Sequence, residues 1–270
     1  MKALFRLFRE IYEYFCLYFG LIYFGILGVT CTVVSTVLYP LLPQKTGMWL
    51  GRRIIGMVFR SYLAMLRISG VVKLDLTALD GLRKEKGIII AANHPSILDA
   101  VLIISRIPDV ACIMKAAIWD SIILGGGVAR LARYIRNDSP GNMIRRATEE
   151  LQTGQRLLVF PEGTRTRQKP ISSFKGGFAL IAKKSAAPVQ TVFIETNSPF
   201  LSKGWPILKK PRMPLVYRVR LGNRFHFSGD TRAFIAELEH YFQQTLGPEP
   251  VIRASVPDAE PVIGQPTTTH

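Results

Sequence analysis

The chain contains little cysteine. Only three of its 270 residues are cysteines, Cys16, Cys31 and Cys112, and none of them lies in a CxxC or Cys/His spacing typical of a metal site. We therefore expect neither a disulfide framework nor a bound zinc ion, and this cysteine usage is typical of a reducing compartment. We predict no resident metal and no other resident cofactor.

Acidic residues are also scarce. The chain has 35 Lys and Arg against 19 Asp and Glu, which gives a formal net charge of +16. Such an excess favours an anionic partner, namely a nucleic acid, an acidic lipid surface or a phosphorylated substrate. No nucleic-acid-binding module is recognisable in the sequence, so we expect no nucleic-acid partner and favour the other two.

Charge is missing altogether from residues 14–44. This run is longer than the ~20 residues that cross a bilayer as a helix, and its aromatic residues cluster near its start, as interface anchors would. It is too long for a cleaved signal peptide, and a buried core helix is the alternative. Because basic residues flank both ends, we expect a hairpin embedded in one leaflet, turning near residues 25–28 or 40–43, in preference to a full crossing.

The next segment, residues 48–69, mixes apolar residues with arginines. Arg53, Arg60 and Arg67 recur every seven residues and so share one face of a helix. This pattern predicts a basic amphipathic helix suited to an acidic membrane surface. An ordinary globular helix with a solvated basic face fits the same pattern. In either case residues 1–69 form an N-terminal helical element that we expect to be membrane-associated.

Residues 70–247 alternate between strand and helix patterns and predict an α/β domain with a mixed sheet flanked by helices. Predicted strands cover 71–76, 88–92, 110–114, 156–160 and 189–195, with two late strands, 216–221 and 224–227, paired through Gly222 and Asn223. Predicted helices cover 96–105, 139–152, 175–184 and 231–246. Residues 248–270 contain five prolines and predict a disordered tail.

The first candidate site follows the second predicted strand. His94 lies on the turn from strand to helix, and Asp99 follows five residues later, in the first turn of the helix. A neutral imidazole removes a proton from an attacking hydroxyl, and a carboxylate on its other nitrogen fixes the tautomer. No serine or cysteine lies in a Gly-x-Ser-x-Gly turn, so the pair would activate a hydroxyl of the substrate. Alternatively, Ser96 and Asp99 form a capping box and His94 is structural.

The second candidate site follows the strand at 156–160. Gly163, Thr164 and Arg165 offer backbone amides, a hydroxyl and a guanidinium, which are groups that bind phosphate. Lys175 precedes two glycines at a helix start, another position that favours anions. A solvated basic turn is the alternative interpretation.

These residues resemble the glycerolipid acyltransferase family, which includes the 1-acylglycerol-3-phosphate and lysophospholipid acyltransferases. Residues 93–99 resemble its NHx4D motif, residues 160–165 its FPEGTR motif, and residues 174–177 its FKxG segment. A later proline-containing strand is matched at Pro188, although Thr191 stands where the family has a second proline. The two main motifs together, in this order and spacing, make a strong signal.

The resemblance implies transfer of a fatty acyl group from acyl-CoA or acyl carrier protein to a hydroxyl of a glycerolipid. It makes His94 the general base and Asp99 its orienting partner. It also implies that Glu162, Gly163, Thr164 and Arg165 help to bind the acceptor's phosphate, with Arg136 as the nearest candidate for a further family motif. Lys175 is a further candidate for this binding because of its position at a helix start.

The sequence leaves the acceptor open. We favour 1-acylglycerol-3-phosphate, which would give phosphatidic acid, and keep another lyso-lipid, such as a lyso-ornithine lipid, as an alternative. A peripheral lipid-binding protein without catalysis is a further alternative. The compact size and the lack of a eukaryotic retention signal predict a bacterial cytoplasmic membrane as the setting, with the enzyme facing the cytoplasm.

Overall fold

The structure is a computed structural model that describes residues 2–168 and 170–247. The tail predicted for residues 248–270 lies outside the described residues. Within them, the α-helices are α1 Lys2–Leu38, α2 Gln44–Ile68, α3 Asp99–Arg106, α4 Ala116–Trp119, α5 Gly126–Leu131, α6 Pro140–Gln152, α7 Gly177–Ser185 and α8 Thr231–Leu246. The strands are β1 Val72–Asp75, β2 Ile89–Ala92, β3 Val110–Lys115, β4 Ile135–Asn137, β5 Arg156–Val159, β6 Val189–Thr196 and β7 Leu215–Phe225. A 3-10 helix covers Thr77–Lys84.

The strands form one mixed sheet in the order β1-β7-β6-β2-β5-β3-β4. The five strands from β6 to β4 are mutually parallel, whereas β7 runs antiparallel to β6. This confirms the predicted mixed α/β fold. Because parallel strands end at the same edge of a sheet, the turns after β2, β3, β4 and β5 lie along one edge.

Side chains cover both faces of the sheet. One hydrophobic cluster joins residues of α1, α2 and α3 to one face, and the other joins residues of α6, α7 and α8 to the opposite face. β2 is buried on both sides, as its continuous run of isoleucine and alanine requires. The carboxyl end of β2 is therefore held rigidly between two helical layers.

The late part of the chain corrects one prediction. Residues 216–227 do not form a hairpin, because β7 is a single strand that pairs along β6 and does not turn at Gly222. A Cβ on Gly222 would lie 2.3 Å from Phe193 Cε2, so the glycine permits close approach of β6. Thr191 Oγ1 donates to Asn223 O at 2.7 Å, beside a register shift in β6. β4, only three residues long, was not predicted.

The N-terminal element is a helical hairpin. α1 is continuous through Gly25 and Gly28, and the chain turns at residues 39–43, so of the two predicted turns only the second forms. α1 is long and apolar enough to cross a membrane by length and composition. A Cβ on Gly28 would lie 1.8 Å from Ile123 O, so this glycine instead permits close contact with the loop before α5.

α2 joins the hairpin to the α/β domain. Arg52 is 2% exposed, and its guanidinium contacts Glu150 Oε2 at 2.8 Å and Gln155 Oε1 at 2.9 Å. Of the predicted basic face, Arg53 pairs with Asp109 at 3.4 Å, and Arg60 donates to the carbonyl of Ser105. These two arginines contact the α/β domain, whereas the same helix exposes Trp49 by 54% and Met57 by 56%.

Candidate active site

The site begins with the way β2 ends. Asn93 is 3% exposed and extends the sheet by two side-chain hydrogen bonds to β6: its Nδ2 donates to Ile194 O at 2.9 Å, and its Oδ1 accepts from Ile194 N at 2.7 Å. The asparagine therefore replaces a backbone pairing one residue past the strand and fixes where His94 leaves the sheet. Sequence analysis quoted Asn93 in a motif but gave it no role.

The structure brings His94 and Asp99 together. His94 Nδ1 lies 2.8 Å from Asp99 Oδ2, which also accepts a hydrogen bond from Ser96 N at 2.8 Å. Burial raises the pKa of the fully buried Asp99 carboxyl, and the hydrogen bond from His94 opposes this rise. With Nδ1–H donated to the carboxylate, Nε2 carries the lone pair that accepts a proton.

The imidazole is also held by stacking. Its ring lies over that of Phe160, with centroids 4.0 Å apart and an interplanar angle of 17°. Phe160 directly follows β5, the neighbour of β2 in the sheet. The carboxylate and the phenyl ring together leave the His94 side chain 17% exposed and its orientation fixed.

Glu162 joins the two turns. Its Oε1 accepts from His94 N at 3.0 Å and from Thr166 Oγ1 at 2.8 Å, and its Oε2 accepts from Ser172 N at 2.8 Å. The residue is 1% exposed. The interpretation of Glu162 as a contact for the acceptor phosphate does not fit this position, because its carboxylate is buried and faces protein donors. In this structure Glu162 instead fixes the backbone of His94 by accepting its N–H.

Cations gather on the open side of the second turn. Lys115, the last residue of β3, places its Nζ 3.3 Å from Thr164 Oγ1. The pKa of Lys203 is lowered, first by partial desolvation and then by the charges of Arg167, Lys115 and Arg165. Arg165 also binds the carbonyl of Ser202, the residue before Lys203, so the contact and the direction of this shift both place Lys203 near Arg165. We call Lys115, Arg165, Arg167 and Lys203 the cation cluster. Sequence analysis identified only Arg165.

The side chain of Arg165 also binds the segment between β6 and β7. Its Nη1 donates to the carbonyls of Leu201 and Ser202, each at 2.9 Å. The same segment is bound to the first turn, since Ser96 Oγ donates to Phe200 O at 3.0 Å. The stretch 200–202 between β6 and β7 is thus a third component of the site, and it carries Lys203 into the cation cluster. No sequence motif indicated it.

Two further predicted residues lie beside the second turn. Gly163 has φ +66°, which favours glycine, and an added Cβ would meet Lys175 Cγ at 3.2 Å. Lys175 is exposed, and its backbone N donates to Pro161 O at 2.7 Å. The side chain of Lys175 therefore lies along the glycine of the turn.

Arg136 stands apart from this group. It lies on β4, three strand positions from β2, which corresponds to roughly 14 Å across the sheet. Its guanidinium pairs with Asp120 at 3.0 Å and Asp138 at 3.2 Å. An acceptor contact by Arg136 stays a prediction, and in this structure its guanidinium faces these two carboxylates. Lys115 on β3 is one strand closer and faces Thr164.

Comparisons with known proteins agree with this geometry. Residues 73–195 match the family model described as Acyltransferase. The chain is 28% identical over 179 residues to a 1-acyl-sn-glycerol-3-phosphate acyltransferase of Limnanthes douglasii, covering 62% of this chain and 59% of that protein. It is 29% identical over 140 residues to a chloroplastic protein of the same description from Arabidopsis thaliana, covering 50% of this chain and 39% of that one.

The fold matches a solved structure. The crystal structure of the 1-acyl-sn-glycerophosphate acyltransferase PlsC from Thermotoga maritima superposes with a TM-score of 0.61 at 20% identity, covering 89% of this chain and 97% of that one. The matched domain contains both turns of the site. The α/β domain is therefore similar to acyltransferases over residues 73–195, a little under half of the chain, and it shares the fold of PlsC. The chain spans 59% of the length of the Limnanthes douglasii relative and 39% of the length of the Arabidopsis thaliana one.

Proposed function

We propose that the protein transfers a fatty acyl group from a thioester to the free hydroxyl of 1-acylglycerol-3-phosphate, which gives phosphatidic acid. The observation that carries this proposal is the 2.8 Å contact between His94 Nδ1 and a fully buried carboxylate, on a turn that faces the cation cluster. A base for a hydroxyl and donors for a phosphate are then adjacent. The names of the plant relatives support the choice of acceptor.

In the proposed reaction, His94 Nε2 removes the proton of the acceptor hydroxyl as its oxygen attacks the thioester carbon. Asp99 stabilises the imidazolium that forms, and general-base catalysis of this type contributes about 10²–10⁴-fold. The tetrahedral intermediate expels the thiolate of coenzyme A or acyl carrier protein, which takes up a proton. No acyl-enzyme is needed, because thiolate is a good leaving group and the bound substrates are held close together.

The cation cluster holds the acceptor in this scheme. Arg165 and Lys203 are placed by the 200–202 segment, and Lys115 approaches Thr164, so several donors converge on one side of the turn. Arginine and lysine beside a hydroxyl form strong charge-assisted bonds to phosphate.

The setting we propose is the cytoplasmic face of a bacterial membrane, with the N-terminal hairpin embedded in one leaflet. The apolar exposed side of α1 and the net charge of +16 support this placement. An acceptor with a phosphate head and a single acyl chain is found in such a leaflet.

The test is acyl transfer by the full chain purified in detergent, with His94→Ala alongside. Labelled acyl-CoA and acyl carrier protein are each offered with lysophosphatidate, other lysophospholipids and a lyso-ornithine lipid. We expect product from lysophosphatidate with the wild type and a loss of about 10³-fold or more with the variant. If only another acceptor gave product, that acceptor would replace lysophosphatidate as the proposed substrate. No product from any acceptor, with vesicle binding retained, would favour a non-catalytic lipid-binding protein.

A further inference from the structure

Ser96 links the first turn of the site to the segment between β6 and β7. The residue is 1% exposed, so its hydroxyl faces protein and not substrate. Its backbone N donates to Asp99 Oδ2 at 2.8 Å, the oxygen that His94 Nδ1 also contacts. Its Oγ donates to Phe200 O at 3.0 Å, 104 positions away in the sequence. One buried residue therefore binds both the partner of the proposed base and a distant segment of the chain.

The hydroxyl of Ser96 does not cap the helix that follows. In a capping box the serine oxygen accepts from the N–H three residues later, but here Asp99 N donates to the backbone O of Ser96 at 3.2 Å. The hydroxyl oxygen instead faces two donors, Leu98 N at 3.3 Å and the buried Tyr217 hydroxyl at 3.5 Å. Since both of these groups donate, the single proton of Ser96 Oγ is directed at Phe200 O. The side chain thus makes a long-range contact that the helix does not require.

The segment 200–202 is bound from both turns of the site. From the first turn, Ser96 Oγ donates to the carbonyl of residue 200, and Ile97 N donates to the carbonyl of residue 201 at 3.2 Å. From the second turn, Arg165 Nη1 donates to the carbonyls of residues 201 and 202, each at 2.9 Å. Among the described residues, no donor other than Ser96 Oγ binds Phe200 O. The segment therefore bridges the two turns, and Ser96 holds its first residue.

The bridging segment leads directly into the cation cluster. Lys203 is the next residue along the chain, and the carbonyl of Ser202 before it binds Arg165. On the other side of Lys203 lies Gly204, which has φ +86°, and a Cβ added there would meet no atom within 4 Å. The chain beyond Lys203 is thus loosely surrounded, whereas the chain before it is bound at three successive carbonyls. The position of Lys203 therefore depends on the bonds to residues 200–202.

We propose that Ser96 is a positioning residue that couples the two parts of the site: its backbone N holds Asp99, and its hydroxyl holds the segment that carries Lys203 toward the acceptor phosphate. The inference rests on the proposed function, because it takes the cation cluster as the phosphate site. Alanine keeps the backbone N–H, so Ser96→Ala removes the contact with Phe200 and leaves the contact with Asp99. The loss of the hydroxyl should therefore weaken acceptor binding and spare the proton transfer.

The first experiment compares Ser96→Ala with a matched variant of the same helix region. Ser105 is 2% exposed, and its Oγ donates to Leu102 O at 2.7 Å, so Ser105→Ala also removes one buried hydroxyl bond. We expect Ser96→Ala to raise the acceptor KM by about fivefold, the factor for one neutral hydrogen bond, with kcat and the donor KM unchanged. Ser96→Cys, whose thiol is a weaker donor, should give a smaller rise. If Ser105→Ala raised the acceptor KM equally, the proposal would be wrong.

A double variant tests whether Ser96 acts through Lys203. Lys203→Ala alone is expected to raise the acceptor KM by about tenfold. If Ser96 acts by placing this lysine, adding Ser96→Ala should change the acceptor KM little further, whereas independent effects would multiply to about fiftyfold. The acceptor KM of Ser96→Ala should also depend less on salt than that of the wild type, because a displaced lysine attracts the phosphate less. A rise near fiftyfold in the double variant would overturn the coupling.

Amide hydrogen exchange of the full chain in detergent tests the contact without any substrate. In Ser96→Ala we expect exchange at Ile97 N and across residues 200–205 to be at least about fivefold faster than in the wild type, with α6 unchanged as the internal reference. Unchanged exchange at both places would overturn the proposal, even in a fully active enzyme. Faster exchange in a protein that transfers no acyl group would support Ser96 as the anchor of the segment and would overturn the proposed function alone.

Discussion

The turns after β2 and β5 end neighbouring parallel strands, but they hold charge in opposite ways. The charged and ionisable groups of the first are enclosed, with Asp99 fully buried and His94 covered by Phe160. The cations beside the second, such as Arg167 and Lys203, are open to solvent. The buried carboxylate of the second turn, Glu162, accepts a hydrogen bond from His94 N in the first turn.

The proposed function accounts for this difference. Proton transfer depends on a fixed ring orientation, and the proposed base is held by a carboxylate, a stacked ring and a backbone bond. Binding an anion that arrives from outside needs donors that remain accessible, and their strength is moderated by water. We expect changes in the first turn to alter kcat and changes in the second to alter KM.

The sharpest test of the first turn is Asp99→Asn. The amide keeps the shape of the side chain but does not stabilise the imidazolium, and it favours the wrong tautomer of His94. We expect kcat to fall by about 10²–10⁴-fold with little change in either KM. Steady-state kinetics with both substrates measures this split. Asp75→Asn, on the exposed pair with Arg218 at the far edge of the sheet, is the control. Unchanged kcat would remove Asp99 from the mechanism.

Glu162→Gln tests the connection between the two turns. An amide nitrogen placed among donors leaves at least one buried N–H, of His94 or Ser172, without an acceptor. We expect the free energy of unfolding to fall by about 1–3 kcal/mol, with a smaller kcat, measured by thermal unfolding in detergent and by turnover. Glu149→Gln on the exposed face of α6 should change stability by less than about 0.5 kcal/mol. If only the acceptor KM rose, with stability and kcat unchanged, Glu162 would instead contribute to phosphate binding.

Lys203→Ala and Arg165→Ala test the second turn. We expect each to raise the acceptor KM by about tenfold, to leave the donor KM unchanged, and to lose part of this effect at high salt, which screens exposed charges. Arg165→Ala should also lower kcat, because it frees the carbonyl of Ser202 and leaves Leu201 O with the backbone N of Ile97 as its donor. Lys184→Ala on α7 removes an exposed charge elsewhere and serves as control. A change confined to the donor KM would contradict the assignment.

The fold could be predicted where the pattern of neighbouring residues determines the local structure. Apolar runs that end in turns identified β2 and β5, and the helix predicted at 231–246 has those bounds in the structure. Gly222 was misread as a turn residue, because the close approach of Phe193 that requires a glycine is a contact between strands. The short β4 carries too few residues for a pattern. Arg53 and Arg60 matched an amphipathic helix equally well whether solvent, lipid or protein lay opposite.

The site, like the fold, could be predicted only where the contacting residues are close in the sequence. His94 and Asp99 are five residues apart, so their contact could be anticipated from one turn of chain. The contacts of Arg165 with residues 201 and 202, and of Asn93 with Ile194, join residues 36 to 101 positions apart. Such distant pairs leave no spacing in the sequence. For this reason the position of Lys203 beside Arg165, and the contact of Glu162 with the backbone of His94, became visible only in the structure.

Gly163→Ala should have the smallest effect and tests whether the second turn is set by its backbone. At φ +66° an alanine is strained, and its Cβ would lie 3.2 Å from Lys175 Cγ, a flexible side chain that can move. We expect a loss of about 1 kcal/mol in the free energy of unfolding and about a twofold rise in acceptor KM. Gly141→Ala, in a helix with open space around it, should leave stability unchanged or raise it slightly. If Gly163→Ala instead lowered kcat as strongly as Asp99→Asn, the rigidity found in the first turn would extend into the second, and the two turns would act as one unit.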